Sequence, residues 1–123
     1  MYTSNDMESV NNRIKESQDE KDFLNKRKGQ IEEEEDTFAQ MFKRQQNLYE
    51  EIFSDKDNAN AQRSLNTIMT ELDESKRAVI AKKRKDMEDV EYAIERQRTE
   101  ETRLLYEKEV LQAEERTRNK EVE

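Results

Sequence analysis

The sequence predicts an all-α protein: a long antiparallel two-helix hairpin, coiled-coil-like along its seam. Three observations predict it. The 123 residues hold one Gly and no Pro, and 44% of them are charged, so good helix formers dominate and breakers are almost absent. Apolar residues recur at alternating steps of three and four over both halves of the chain, the signature of one helical face. Between the halves lies a single cluster of turn-forming residues. Compact sandwich, barrel and α/β folds are excluded by composition. Leu, Ile, Val and Phe make up about 18% of the chain, below the ~20% at which a soluble domain holds a core of its own.

The first helix is expected over about residues 5–53. Stepping by seven from Val10 reaches Ser17, Leu24, Ile31, Phe38, Gln45 and Ile52. The interleaved row is Met7, Ile14, Lys21, Lys28, Glu35, Phe42 and Tyr49, apolar at both ends and charged in the middle. Met41 and Leu48 widen the stripe near its C-terminal end, and Asn5 followed by Glu8 is a candidate N-terminal cap. The turn is expected at about 54–60, where Ser54, Asp55, Asp57, Asn58 and Asn60 compete with helical backbone for hydrogen bonds. Asp57, Asn58 or Asn60 would cap the next helix.

The second helix follows over about 61–118, with a frayed C-terminal tail, so that residues 1–123 read as one helical hairpin. Leu65, Met69, Leu72, Ile80, Met87, Val90, Ile94, Leu104 and Leu111 form its stripe, with a one-position slip near Val79. If the turn centres near Asp57, residue i faces about residue 114 − i. Val10 then meets Leu104, Leu24 meets Val90, and polar Ser17 meets polar Gln97. The acidic run Glu32–Asp36 falls near Lys76, Arg77 and Lys82–Lys85. Exposed pairs contribute only ~0.2–1 kcal/mol each, but matched blocks reject misaligned pairings. Val10, Leu24, Ile31, Ile52, Leu65, Leu72, Met87, Val90 and Leu104 are the expected seam.

Chemistry is constrained by what is missing. The chain has no His and no Cys, hence no imidazole base, thiol nucleophile, zinc ligand set or disulfide. Carboxylates along the Glu32–Asp36 run splay around a helix, whereas hard cations need ligands converging from a loop. A two-helix hairpin has no pocket to drive paired carboxylates apart in pKa. No catalytic, cofactor or metal site is expected, and the chain reads as an interaction protein rather than an enzyme. The 31 acidic and 23 basic residues leave a net charge of −8, which disfavours nucleic acid and anionic membranes. No apolar run approaches the ~18 residues of a spanning helix. The N-terminus lacks the pattern of a Sec signal, so the expected location is the cytoplasm, with any export occurring alongside a partner by a Sec-independent route.

Two features look functional. Gly29 falls mid-helix, as a tolerated surface glycine or as a point where a partner helix comes close. Phe38, Met41, Phe42, Leu48, Tyr49, Ile52 and Phe53 crowd the part of helix one nearest the turn, more apolar surface than one facing helix needs; the alternative is that Leu65, Ile68, Met69 and Leu72 cover it. On helix two, Leu104 and Leu105 are adjacent and point about 100° apart, so one enters the seam while Leu105, with Tyr106, faces outward. Isolated helix pairs are marginal in water. Phe38, Met41, Phe42, Leu48, Tyr49, Phe53, Leu105 and Tyr106 are therefore the candidate anchors for a partner helix or for the chain's own copy.

The apolar Phe38-to-Phe53 stretch, the polar turn and the charged second helix through Leu104-Leu105-Tyr106 resemble the small helical partners of Gram-positive type VII secretion. Among them the chain looks most like the second of the LXG-associated α-helical proteins, related in architecture to WXG-type proteins. The resemblance spans most of the chain as a pattern rather than a motif. The Trp-x-Gly turn of WXG-type proteins is absent, and Tyr106 is followed four residues later by Val110 rather than by the Asp or Glu of the C-terminal secretion signal. Phe53 and Asp57 have that spacing, but within the turn. The resemblance implies an accessory or targeting chaperone that binds the helical N-terminal domain of an LXG toxin, alongside a second small helical protein. Two other classes fit the same residues: a homo-oligomeric structural coiled coil, and a stalk or chaperone of flagellar or type III export.

Overall fold

A computed structural model describes residues 4–122, with side chains from Asp6 to Glu121. It is an all-α helical hairpin of two helices, α1 (Ser4–Ile52) and α2 (Ala59–Val122), and no strand occurs among the described residues. Helix α1 begins at Ser4, which puts Asn5 inside the helix; its side chain lies outside the described residues. Helix α2 starts two residues earlier than expected and runs through Val122, beyond the expected limit at 118. The C-terminal extension follows from residue type, since Glu, Arg, Lys and Ala carry little helical cost even where nothing packs on them.

The turn is built from the short polar side chains expected there. The Phe53 amide closes α1 by donating to the Tyr49 carbonyl at 3.0 Å. The Asp57 amide then donates to Asp55 Oδ1 at 3.2 Å, an aspartate turn that reverses the chain without glycine. Asn58 is the cap. Its Oδ1 accepts from the Ala61 amide at 3.1 Å, satisfying one of the amides that a helix start leaves open. Gln62 ties the two helix ends together, donating from Nε2 to the carbonyls of Phe53 and Asp55, both at 3.1 Å. No residue of the turn needs a positive φ.

The chain divides into two compact units, Met1–Arg27 with Val90–Glu123, and Lys28–Asp89. The first holds a small core in which Val10, Ile14, Leu104 and Leu111 are buried against one another with Met7 at the edge. Leu24 is buried in the same unit and Val90 half-buried. The polar layer is there as well: Gln97 Nε2 donates to the Ser17 carbonyl at 3.1 Å and to Ser17 Oγ at 3.2 Å. Arg13 closes the edge, its guanidinium 3.1 Å from Glu107 Oε1. These pairings have the antiparallel register expected from the turn.

In the Lys28–Asp89 unit only Ile31 is fully buried among the described residues. Leu65, Leu72 and Met87 reach the seam half-buried. Ile52 does not. It is 60% exposed, which corrects its place in the expected seam. A strict heptad walks about 20° around an α-helix at each step, so three steps from Ile31 carry Ile52 about 60° off the buried side. The inward positions pass to Phe42, Tyr49 and Phe53, all half-buried. The acidic and basic runs meet as expected where Lys83 Nζ pairs with the Glu34 carboxylate.

Candidate partner-binding surface

Five of the eight expected anchors lie on α1 and Phe53 lies in the turn just after it, all within the Lys28–Asp89 unit; the other two lie on α2 in the other unit. The six divide by side of the helix. Phe38, Phe42, Tyr49 and Phe53 are half-buried, turned toward the α2 segment of their unit. Met41 and Leu48 are 44% and 53% exposed and share an outward strip with Ile52. The seven residues thus do two jobs. One row lines an incomplete seam, and the other stands in solvent beside it.

The incomplete seam has identifiable geometry. The rings of Phe38 and Phe42 stack at a tilt with centroids 6.5 Å apart. Lys83 Nζ lies 5.5 Å over the Phe38 ring while paired with Glu34. A cation here serves a carboxylate and an aromatic face together, covering with its methylene stem what an apolar residue would cover elsewhere. Toward the turn, Phe42, Met69 and Leu72 floor an open groove of about 390 Å³ rimmed by Lys43, Asp73 and Lys76. Leu65, Ile68, Met69 and Leu72 are themselves only half-buried, so they cover the aromatic row in part.

In the unit of the chain ends, Leu104 is 1% exposed while its neighbour Leu105 is 44% exposed and Tyr106 68%. This is the division that the 100° step between adjacent residues requires. Three further outward side chains were not among the expected anchors: Phe23 and Tyr92, each 68% exposed, and Ile80 at 43%. Ile80 was expected on the stripe of helix two, and its exposure corrects that place: the half-buried Val79 takes the inward position. Phe23 adjoins the seam residue Leu24, Ile80 adjoins Val79, and Tyr92 follows Val90 by two, each offset that turns a residue off the buried face. Tyr92 is covered on one side by Arg96, whose guanidinium carbon is 6.0 Å from the ring centre.

The surface electrostatics are local. Arg103 hydrogen-bonds Glu100 with its Nε and Nη2, at 3.1 and 2.7 Å. That bond holds the Glu100 carboxyl below its ordinary value and raises the Arg103 guanidinium. Among the described residues no group of three or more carboxylates could hold a metal ion, and no helix is long and apolar enough to cross a membrane. Gly29 lies in open space: a Cβ built there meets nothing within 4 Å. Compared with models of known protein families, with characterised proteins and with solved structures, the chain matches none.

Proposed function

We propose that the protein is a helical accessory chaperone whose Lys28–Asp89 unit receives an apolar helix of a protein partner. The observation that carries this reading is the contrast within that unit. Ile31 alone is fully buried among its described residues, while Phe38, Phe42, Tyr49 and Phe53 stop half-buried and Met41, Leu48 and Ile52 stand exposed. An added helix would complete the aromatic row and remove from water an apolar surface that invites aggregation. Leu105 and Tyr106 are the further contacts proposed on α2.

The resemblance stated above makes the partner the helical N-terminal domain of an LXG-type toxin, carried with a second small helical protein to a type VII secretion apparatus in a Gram-positive bacterium. On this reading the protein shields the toxin's apolar helix and shapes the composite surface that the apparatus reads. It needs no cofactor and performs no chemical step. It acts in the cytoplasm and travels, if it is exported, with its partner.

The test is co-expression with the tagged N-terminal domain of an LXG toxin encoded beside it. The native chain is expected to co-purify, and the Met41→Glu/Leu48→Glu double variant to be lost from the complex while its helical circular dichroism persists, because both side chains are exposed in the free hairpin. Co-purification that survives both charges removes the surface. Failure of the native chain to bind any such domain removes the LXG reading.

A further inference from the structure

The exposed strip on α1 has a symmetry of its own. Met41, Gln45, Leu48 and Ile52, of which Gln45 is half-buried and the other three exposed, are separated by four, three and four residues, which keeps them on one side of the helix. The order of steps is the same read in either direction. Arg44 and Glu51 each precede a residue of the strip by one position, Gln45 and Ile52, and so border it along one edge; both are exposed. Phe42 and Tyr49 each follow one, Met41 and Leu48, and border the other edge, facing α2.

We infer that this strip is a two-fold interface on which α1 of a second copy of the chain packs antiparallel, with the axis passing midway between residues 46 and 47. A two-fold contact requires that whatever residue i does to residue j, j does to i. About that axis Met41 meets Ile52 of the second copy, and Gln45 meets Leu48, with both pairs repeated by symmetry. Residues on the outer edge pair two positions further along the sum, as geometry requires of the flanking positions in an antiparallel helix pair. That sets Arg44 of each copy against Glu51 of the other. On the inner edge the offset is two positions the other way, which sets Phe42 against Tyr49.

The charges are what select a second copy over an unrelated helix. An apolar strip alone accepts any amphipathic helix of matching spacing. Opposite charges placed where a two-fold brings them together twice are complementary to the chain itself, whereas a parallel pair would set Arg44 beside Tyr49 of the second copy and leave the charges unmatched. Three exposed apolar side chains per copy are far fewer than the roughly 20–30 residues a side of a standard stable interface, so the dimer is expected to be a reversible one in the micromolar range. It would keep Met41, Leu48 and Ile52 out of water in the absence of a heterologous helix, which would then compete for the same strip.

Sedimentation equilibrium over roughly 1 to 200 µM brackets such an affinity. The native chain is expected to go from monomer to dimer and no further. Arg44→Glu and Glu51→Arg, each a change at an exposed position, should each weaken the dimer by about tenfold or more, because symmetry doubles every altered contact. The double swap Arg44→Glu/Glu51→Arg restores both pairs and should return the dimer to near the native affinity. Leu48→Glu should leave a helical monomer. A native chain monomeric throughout the range overturns the inference, as does a dimer that survives Leu48→Glu or one that the double swap fails to restore. A monomer that still captures a toxin helix overturns the second copy alone and leaves the proposed function standing.

Discussion

Replacing Gln97 by Leu should make the protein more stable. Gln97 is 3% exposed. Its Nε2 donates to the Ser17 carbonyl and hydroxyl and, at 2.8 Å, to Glu101 Oε2, but its Oε1 is buried without a partner. An unpaired buried carbonyl costs ~1–3 kcal/mol, and a neutral hydrogen bond contributes only ~0.5–1.5 kcal/mol net. Leu is of similar length, removes the orphan acceptor and adds apolar burial of ~1.5 kcal/mol or more at the same place. Against this stand the two bonds to Ser17, whose carbonyl keeps its helical partner and whose buried hydroxyl can turn to the carbonyl one helical turn before it, and one to Glu101, which is half-exposed and returns to water. The balance favours Gln97→Leu by about 1–2 kcal/mol. Guanidinium unfolding followed by circular dichroism would read it as a higher midpoint at unchanged slope. A variant less stable than the native chain by 1 kcal/mol or more would refute the reasoning, and would mean that the polar layer is fully satisfied and stabilising in itself.

Three further outcomes are expected. Gly29→Ala should stabilise by about 0.5–1 kcal/mol in the same unfolding assay, since the new methyl meets only open space and Gly is costly inside a helix. Leu104→Ala removes a 1% exposed side chain from the core with Val10, Ile14 and Leu111, and should cost about 2–5 kcal/mol; hydrogen exchange should then rise in the unit of the chain ends. Glu100 has a folded pKa below its ordinary value because Arg103 bonds its charged form. Its contribution is therefore complete above the unfolded pKa and lost as pH falls through the folded one, so the melting-temperature gap between native and Glu100→Gln should hold from about pH 7 to pH 5 and shrink as pH falls below the ordinary carboxylate range.

Much of this fold was legible in the chain. Ser17 opposite Gln97 followed from counting back across a turn centred near Asp57, and the turn followed from five short polar residues that no helix favours. The division between Leu104 and Leu105 needed only the helical step. Ile52 misled because a heptad row ignores the slow rotation of an α-helix against it, and the error accumulates with distance from the buried residue that anchors the row. The outward strip was visible only as a widening at Met41 and Leu48, since a sequence marks which residues are apolar and not which of two adjacent rows the neighbouring helix covers.

The sequence by itself determined the class: helix formers almost without breakers, one turn, and too little apolar material for a sandwich, barrel or α/β domain. It also determined the antiparallel register, because periodicity and charge blocks are properties of order along a chain. Only the tertiary structure decided how far the pairing goes. Two helices present a narrow line of contact, and whether a given Phe lies within it or beside it depends on the rotation of each helix about its own axis. That rotation buries Val10, Ile14, Leu104 and Leu111 in one unit. In the other it leaves the Phe38-to-Phe53 stretch half-covered, with an apolar edge exposed to solvent.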